Sequence, residues 1–589
     1  MKTRILTLSF LAAFLFCSCG DPIEPEPVKL VATPSQLSFD AAGGTQELVL
    51  TSGIKPEISC SDNWLTLSEG AYASNTVTLR VSAQENTGTA ARSTSIRVIG
   101  EKQSLMIPVN QGIPQVKLAV SETRVSFDRF GGEAEFTVTS SQKPQVTSDA
   151  AWCGVVVGEI GSNHETTVTL LSGANRTTDA REATVTVKCG SENLTVSVSG
   201  EAGKAIPVTS AAALTPKKVF SAMAPGWNMG NQMDAISNGI SGETLWGNDK
   251  CTQATFDGLK KAGFKAVRIC VTWEGHIGAA PAWRLEESWL ARVEEIVGYA
   301  EKAGLVAIVN THHDESYWLD IAKAYNNASR NEQINEQIFN VWTQIALRFK
   351  DKGEWLVFES FNEIQDGGWG WSEAFKSNPE AQYKVLNGWN QMFVDAVRST
   401  GGNNATRWLG IPGYAANPGF TIAGLVLPTD YTGANRLIVA VHDYDPYNYT
   451  LADPLVRQWG HTADPALRCS DKDEENVVAV FDQLKTAWLD NGIPVYLGEM
   501  GCSRHGDADF PYQKYYMEYF CKAAADRLLP MYLWDNGAKG TGPETHCYIN
   551  HGTGAFADDK ARELVDLMVK AVTKKDASYT LESVYESAP

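Results

Sequence analysis

The chain has 589 residues, 43% of them hydrophobic, with 50 Lys and Arg against 69 Asp and Glu and a formal net charge of −19. The length predicts several domains and the apolar fraction a large core. The charge excludes nucleic acid as a partner, which needs a basic face to displace counterions, and leaves a neutral polymer open.

At the N-terminus, Lys2 and Arg4 precede an apolar run over residues 5–16, too short to span a bilayer as a mature helix. It ends in Phe16-Cys17-Ser18-Cys19, a loose form of the bacterial lipobox with Cys19 as the residue to be acylated. Residues 1–19 are expected to be a lipoprotein signal peptide, and residues 20–29, with three prolines and two glutamates, a stiff acidic tether. The leader resembles the export tag of surface lipoproteins in Bacteroidetes, which implies an outer-membrane lipoprotein held to the membrane by its acyl chains. Plain secretion or a periplasmic location is the alternative. Beyond Cys17 and Cys19 the remaining cysteines are odd in number and scattered, with no metal-type Cys-x-x-Cys pair.

From residue 30 to 203 the sequence repeats itself. Leu37-Ser38-Phe39-Asp40 and Gly43-Gly44 return as Val125-Ser126-Phe127-Asp128 and Gly131-Gly132; Trp64 maps to Trp152 and Arg92 to Arg181. Each copy alternates apolar and polar residues between Gly-, Ser- and Asn-rich breaks, which predicts half-buried antiparallel strands and two tandem immunoglobulin-like β-sandwiches, over residues 30–113 and 114–203. The Phe-Asp, Gly-Gly, Trp and Arg positions resemble BACON domains. Neither copy shows an aromatic platform, so a spacer is expected rather than a glycan-binding module, with Trp64 and Trp152 as core residues.

From residue 204 to 589, short apolar strands alternate with amphipathic helices. Strands are predicted at residues 225–231, 266–271, 306–312, 356–363, 407–413, 437–444, 494–501 and 530–537. Among the helices, one at residues 288–303 places Trp289, Val293, Ile296 and Val297 on one face. Eight such units predict a (β/α)₈ TIM barrel, with a doubly wound sheet as the alternative. In a barrel the chemistry sits where strands finish. Here those ends carry Asn231, Arg268 with Trp273, His312-His313, Asn362-Glu363, His442 with Tyr444, Glu499 and Trp534.

Two glutamates ending the fourth and seventh strands fit glycosidic hydrolysis, which needs one carboxylic acid to protonate the leaving oxygen and one carboxylate to attack or to activate water. Arg268 and Tyr444 are expected to keep Glu499 ionised, and Glu363 to stay protonated until it donates. His312-His313-Asp314 is expected to be a poor chelator, because adjacent strand residues point to opposite sides. No metal and no cofactor are expected.

The segments Gly226-Trp227-Asn228-Met229-Gly230-Asn231, Asn310-Thr311-His312-His313-Asp314, Phe358-Glu359-Ser360-Phe361-Asn362-Glu363, His442-Asp443-Tyr444, Gly498-Glu499-Met500-Gly501 and Leu533-Trp534-Asp535 resemble glycoside hydrolase family five, most of all its subfamily four. The resemblance implies a retaining endo-β-1,4-glucanase or xyloglucanase acting on plant cell-wall β-glucan. Glu363 would be acid/base and Glu499 nucleophile. Asn362 would bind the 2-hydroxyl, Arg268 and Tyr444 would orient Glu499, His442, His312 and His313 would line the subsite, and Trp534 would be its stacking floor. Asn231, Trp273 and Trp369 are expected to bind substrate or to support the residues that do. Glu363 is followed by a Gly- and Trp-rich stretch, Ile364 to Trp371, where the family's commonest pattern has Pro; that loop is expected to shape the leaving-group side. A β-mannanase and a catalytically silent surface glycan-binding protein are the alternatives.

Overall fold

The computed structural model describes residues 27–433, 435–452 and 454–589. The expected signal peptide with Cys19, and most of the tether, lie outside them.

Each repeat forms two four-stranded sheets with the same strand order in both copies. Alternation along Thr76–Ala83 buries Val77, Leu79 and Val81, and along Arg181–Cys189 it buries Ala183, Val185 and Val187. One pair per copy departs from the expected antiparallel pattern. Leu37–Phe39 runs parallel to Gln103–Gln111, as Arg124–Phe127 does to Glu192–Gly200. In each case the chain crosses from one sheet to the other and enters beside its domain's last strand. The repeated Trp and Arg are stacked partners in both copies, with the Arg92 and Arg181 guanidinium groups each 4.6 Å over the Trp64 and Trp152 rings. Trp64 is buried, whereas Trp152 is half-buried, so the core assignment holds fully only for the first.

The barrel closes through eight parallel strands: β1 Gly226–Met229, β2 Ala266–Ile269, β3 Val306–Val309, β4 Leu356–Glu359, β5 Leu409–Pro412, β6 Leu437–His442, β7 Val495–Met500 and β8 Met531–Leu533. Pairing of β1 with β8 at Gly226–Tyr532 and Trp227–Leu533 excludes the doubly wound alternative. Most strands end earlier than predicted, so the polar residues at 310–313 and 360–363 sit on segments that have left the sheet. The covering helices follow the expected pattern. Glu287–Ala303 buries Trp289, Leu290, Val293, Ile296, Val297 and Ala300 and stops at Gly304, whose left-handed backbone (φ 68°) lets its N–H reach the Ala300 carbonyl.

Inside the barrel the layers differ. The lower one is apolar, with Ala266, Ile308, Val357, Ile438 and Ala440 packed on Leu214, Val219 and Met223 at the base. Two residues further along the chain stand Arg268 and Glu359 on their strands and Asn310 just past the end of β3, all buried. Period two in a strand therefore carries a charged layer directly onto an apolar floor.

The second sandwich is seated on the barrel. The Ala174 amide donates to Asn340 Oδ1 (2.6 Å), on the helix Ala328–Arg348, and Arg176 pairs with Glu332 of the same helix. A Cβ on Gly154 would lie 2.6 Å from Pro281 Cδ, and one on Gly173 would lie 2.5 Å from the Pro281 carbonyl oxygen. The first copy carries Thr66, Gln84 and Glu85 where the second has Gly154, Gly173 and Ala174.

Candidate active site

The site begins with a break in alternation. Tyr496 on β7 points inward, its hydroxyl donating to Glu359, so a regular strand would turn Glu499 outward. Pairing of β6 with β7 slips by one residue, from Val441–Leu497 to His442–Glu499, leaving Gly498 unpaired. This bulge turns Glu499 into the barrel mouth. Glycine suits position 498 on steric grounds as well, because a Cβ there would lie 3.0 Å from His442 Nε2.

Arg268 is the hub beneath the mouth, with no exposed surface. Its Nη1 donates to Glu499 Oε1 (2.8 Å) and Asn228 Oδ1 (3.1 Å), its Nη2 to Glu359 Oε1 (2.7 Å) and Asn362 Oδ1 (2.7 Å), and its Nε to Glu359 Oε1 (3.0 Å). A cation this deep is tolerated because two carboxylates neutralise it and its donors are satisfied. Tyr444 donates to Glu499 Oε2 (3.0 Å). The second carboxylate, Glu363, lies 2.6 Å through Oε1 from His442 Nδ1, which is in turn 3.6 Å from Glu499 Oε2. One oxygen of each glutamate and a His442 ring nitrogen all lie within 4.8 Å of one another.

The environments separate the two acids. Burial, reinforced by the Glu315 charge, pushes the Glu363 carboxyl up to about 7 against the pull of Arg268 and His313. Burial also raises Glu499 above the ordinary carboxylate range, opposed by His442, Arg268 and the Tyr444 hydroxyl. Arg268 and Tyr444 thus act on Glu499 in the expected direction, restraining a rise caused by desolvation. His442 is pushed down to about 4 by burial, so its ring is neutral near pH 7.

His312 and His313 do not point apart as expected. β3 ends at Val309, and His313 opens a single turn of 3₁₀-helix, so strand alternation no longer governs the pair. Both rings face Asp234, with His312 Nε2 at 3.9 Å and His313 Nε2 at 3.7 Å from its Oδ2. The carboxylates of Glu315, Asp234 and Glu499 outweigh burial and push His313 up to about 9. Trp534 lies parallel to His312, its centroid 5.9 Å away, and Trp246 leans on His313 at the rim.

The three further candidates differ in placement. Trp273 is wholly buried, its indole N–H donating to the Asn310 carbonyl (3.1 Å), so it presents no face to a sugar. Asn231 turns the chain at φ 52° and its amide donates to Asp234 Oδ2 (2.9 Å); it supports the mouth through Asp234. Trp369 is 52% exposed on the loop after Glu363, where Gln365 accepts its amide (3.1 Å) and Asp366, bonded to Ser372 and Gln382, braces the turn. Sequence reasoning assigns no role to Glu359, Asp234 or Asn310. A signal for Glu359 exists: a carboxylate in phase with inward Val357 on a buried strand demands a cation, and Arg268 occupies the same layer.

A profile of the cellulases of glycosyl hydrolase family 5 matches residues 229–540. The chain belongs to glycosyl hydrolase family 5. The BACON profile, a putative N-terminal binding domain, matches residues 55–112 and 133–199. This family 5 hydrolase is 49% identical to a broad-specificity subfamily-four endoglucanase from Bacteroides salanitronis, whose structure superposes with a TM-score of 0.60 over 63% of this chain and 98% of that one. It is 35% identical to endoglucanase A of Paenibacillus barcinonensis, over 56% of this chain and 84% of the relative. It is 30% identical to a xyloglucan-specific endo-β-1,4-glucanase of Bacteroides ovatus, over 72% of this chain and 86% of the relative. The protein is a glycoside hydrolase, a TIM barrel preceded by BACON domains.

Proposed function

We propose that this hydrolase is a retaining endo-β-1,4-glucanase of plant cell-wall β-glucans, with xyloglucan its preferred polymer. One observation carries the stereochemistry: oxygens of Glu363 and Glu499 lie within 4.8 Å of each other. Double displacement uses carboxyl groups about 5–5.5 Å apart, whereas inversion needs about 6.5–9.5 Å to seat a water between carboxylate and sugar.

Glu363, protonated below about pH 7, gives its proton to the leaving glycosidic oxygen. Glu499 attacks the anomeric carbon and forms a glycosyl ester. Glu363, now a carboxylate, takes a proton from water, which attacks the same carbon and releases Glu499. Asn362, whose Oδ1 is taken by Arg268, keeps its Nδ2 hydrogens for the sugar 2-hydroxyl. The 72% coverage by the Bacteroides ovatus relative supports xyloglucan, and the endoglucanase relatives support a β-1,4-glucan backbone over mannan.

The assignment of roles is tested with an aryl glycoside that has an acidic phenol. Glu363→Ala should still form the glycosyl enzyme and then stall, and azide should restore turnover as a β-glycosyl azide. Rescue of Glu499→Ala instead, with an α-configured azide, would exchange the two roles, and an inverted product from the unmodified enzyme would reject double displacement. Initial rates on xyloglucan, mixed-linkage glucan, carboxymethylcellulose and mannan decide the polymer. We further propose that Cys19 anchors the enzyme at the cell surface, supported by the basic and apolar leader that precedes it.

A further inference from the structure

The side chain of Asn310, just beyond β3, has only one workable orientation. Its Oδ1 accepts from the Val271 amide (3.1 Å). Its Nδ2 spends one hydrogen on Glu359 Oε1 (2.9 Å) and the other on His312 Nδ1 (3.2 Å). Reversing the amide would set its oxygen against the Glu359 carboxylate and its NH₂ against the Val271 N–H. Nδ1 of His312 is therefore an acceptor. Burial and the neighbouring cations His313 and Arg268 hold the ring neutral, so its single proton sits on Nε2. That nitrogen faces Asp234 Oδ2 at 3.9 Å and Glu499 Oε1 at 4.0 Å, too far for direct bonds.

The same proton bears on a second property. Asp234, His312 and His313 each offer a ligand atom within 4.8 Å of the others, the donor set of a transition-metal site. A metal needs a lone pair on each nitrogen at about 2.0–2.1 Å; His313 supplies one only by giving up its proton, a cost that is there whatever stands at position 310, and His312 Nε2 has none while Asn310 occupies Nδ1.

We propose that Asn310, itself clamped by Glu359 and the Val271 amide, is a positioning residue that fixes the proton of His312 on Nε2, keeping the ring a hydrogen-bond donor into the cleft and barring a metal from the Asp234–His312–His313 cluster. The donor role rests on the cleft being the sugar site; the protonation pattern does not, so it can fail separately.

Two measurements test it. In substrate-free enzyme with ¹⁵N-labelled histidine, His312 should show a bare Nδ1 and a protonated Nε2 across the neutral range; a protonated Nδ1 overturns the proposal. In Asn310→Asp an oxygen replaces the Nδ2 donor, so Nδ1 takes the proton and the Nε2 lone pair turns toward Asp234 and His313. That enzyme should be inhibited by Zn²⁺ at a concentration at least about tenfold lower than the unmodified enzyme, reversibly with EDTA, and the gain should vanish when His313→Ala is added. A merely structural role would lower kcat without moving the zinc response, and a folded Asn310→Asp enzyme with unchanged zinc sensitivity overturns the proposal. Asp beside Glu359 brings two carboxylates together, so Asn310→Ser, which frees the ring without adding charge, is the second variant, with a smaller gain in the same direction. Should neither variant fold, the ring-nitrogen pattern of the unmodified enzyme decides alone.

Discussion

Removing one charge should move the alkaline edge of activity. Glu363 must be protonated to act, and its carboxyl stands at about 7, so kcat/KM should fall through that value as pH rises, to about one tenth of its plateau at about pH 8. After burial, the largest cause of that elevation is Glu315, which lies 3.7 Å from His313 Nδ1 through one oxygen. Glu315→Gln removes a negative neighbour, makes ionisation of Glu363 easier and should bring the edge down. A displacement on the order of half a pH unit is expected for a like charge at the rim of a buried acid, which lowers kcat/KM at about pH 8 roughly threefold further and leaves the acid plateau nearly unchanged. Glu315 is also the main support of the His313 charge, ahead of Asp234 and Glu499, so the displacement is read in a His313→Ala background as well, where only the direct effect on Glu363 remains. The assay is kcat/KM against pH on a soluble β-glucan oligosaccharide. Glu363→Ala on an aryl glycoside with an acidic phenol is the control, in which the edge should disappear. An edge that stays in place or moves upward in Glu315→Gln refutes this electrostatic account, as does one that persists in the control.

Glu359→Ala should cost about 3–5 kcal/mol of stability, because it leaves a fully buried Arg268 with a single carboxylate; an unchanged melting temperature would contradict the hub. Trp64→Ala should destabilise the first sandwich by about 3–5 kcal/mol and leave barrel activity untouched. If it instead abolishes glycan retention without changing melting, that copy is a binding module and not a spacer. Cys19→Ala should release active enzyme into the soluble fraction, and unchanged membrane fractionation of that variant would remove the anchor.

What can be read in advance divides along physical lines. Strand and helix periodicity is a local property, so the eight βα units and the two sandwiches are visible from apolar spacing alone. Glu363 and Glu499 are visible because strand ends in a barrel converge whatever the loops do. The contacts of Asp234 are not, since they depend on how the turn at Asn231 folds back toward residues 312 and 313. Nor is the fate of Trp273, because a Trp at a strand end reads the same whether its ring meets sugar or core. The inward turn of Glu499 needs the slip at Gly498, and a one-residue bulge leaves no periodic trace. His312 and His313 escape for a related reason: alternation holds only as far as the strand does, and β3 stops before it reaches them.

The two sandwiches are alike in pattern but not exchangeable as parts. Gly154, Gly173 and Ala174 leave the space that Pro281 and Asn340 fill, whereas the first copy would bring Thr66, Gln84 and Glu85 into it. Swapping the order of the modules, or duplicating the first in place of the second, would wedge side chains into that seam. Anyone trimming this enzyme to a minimal catalyst should cut near residue 113, since a cut near residue 203 would strip the barrel of a wall it has been shaped to lean on.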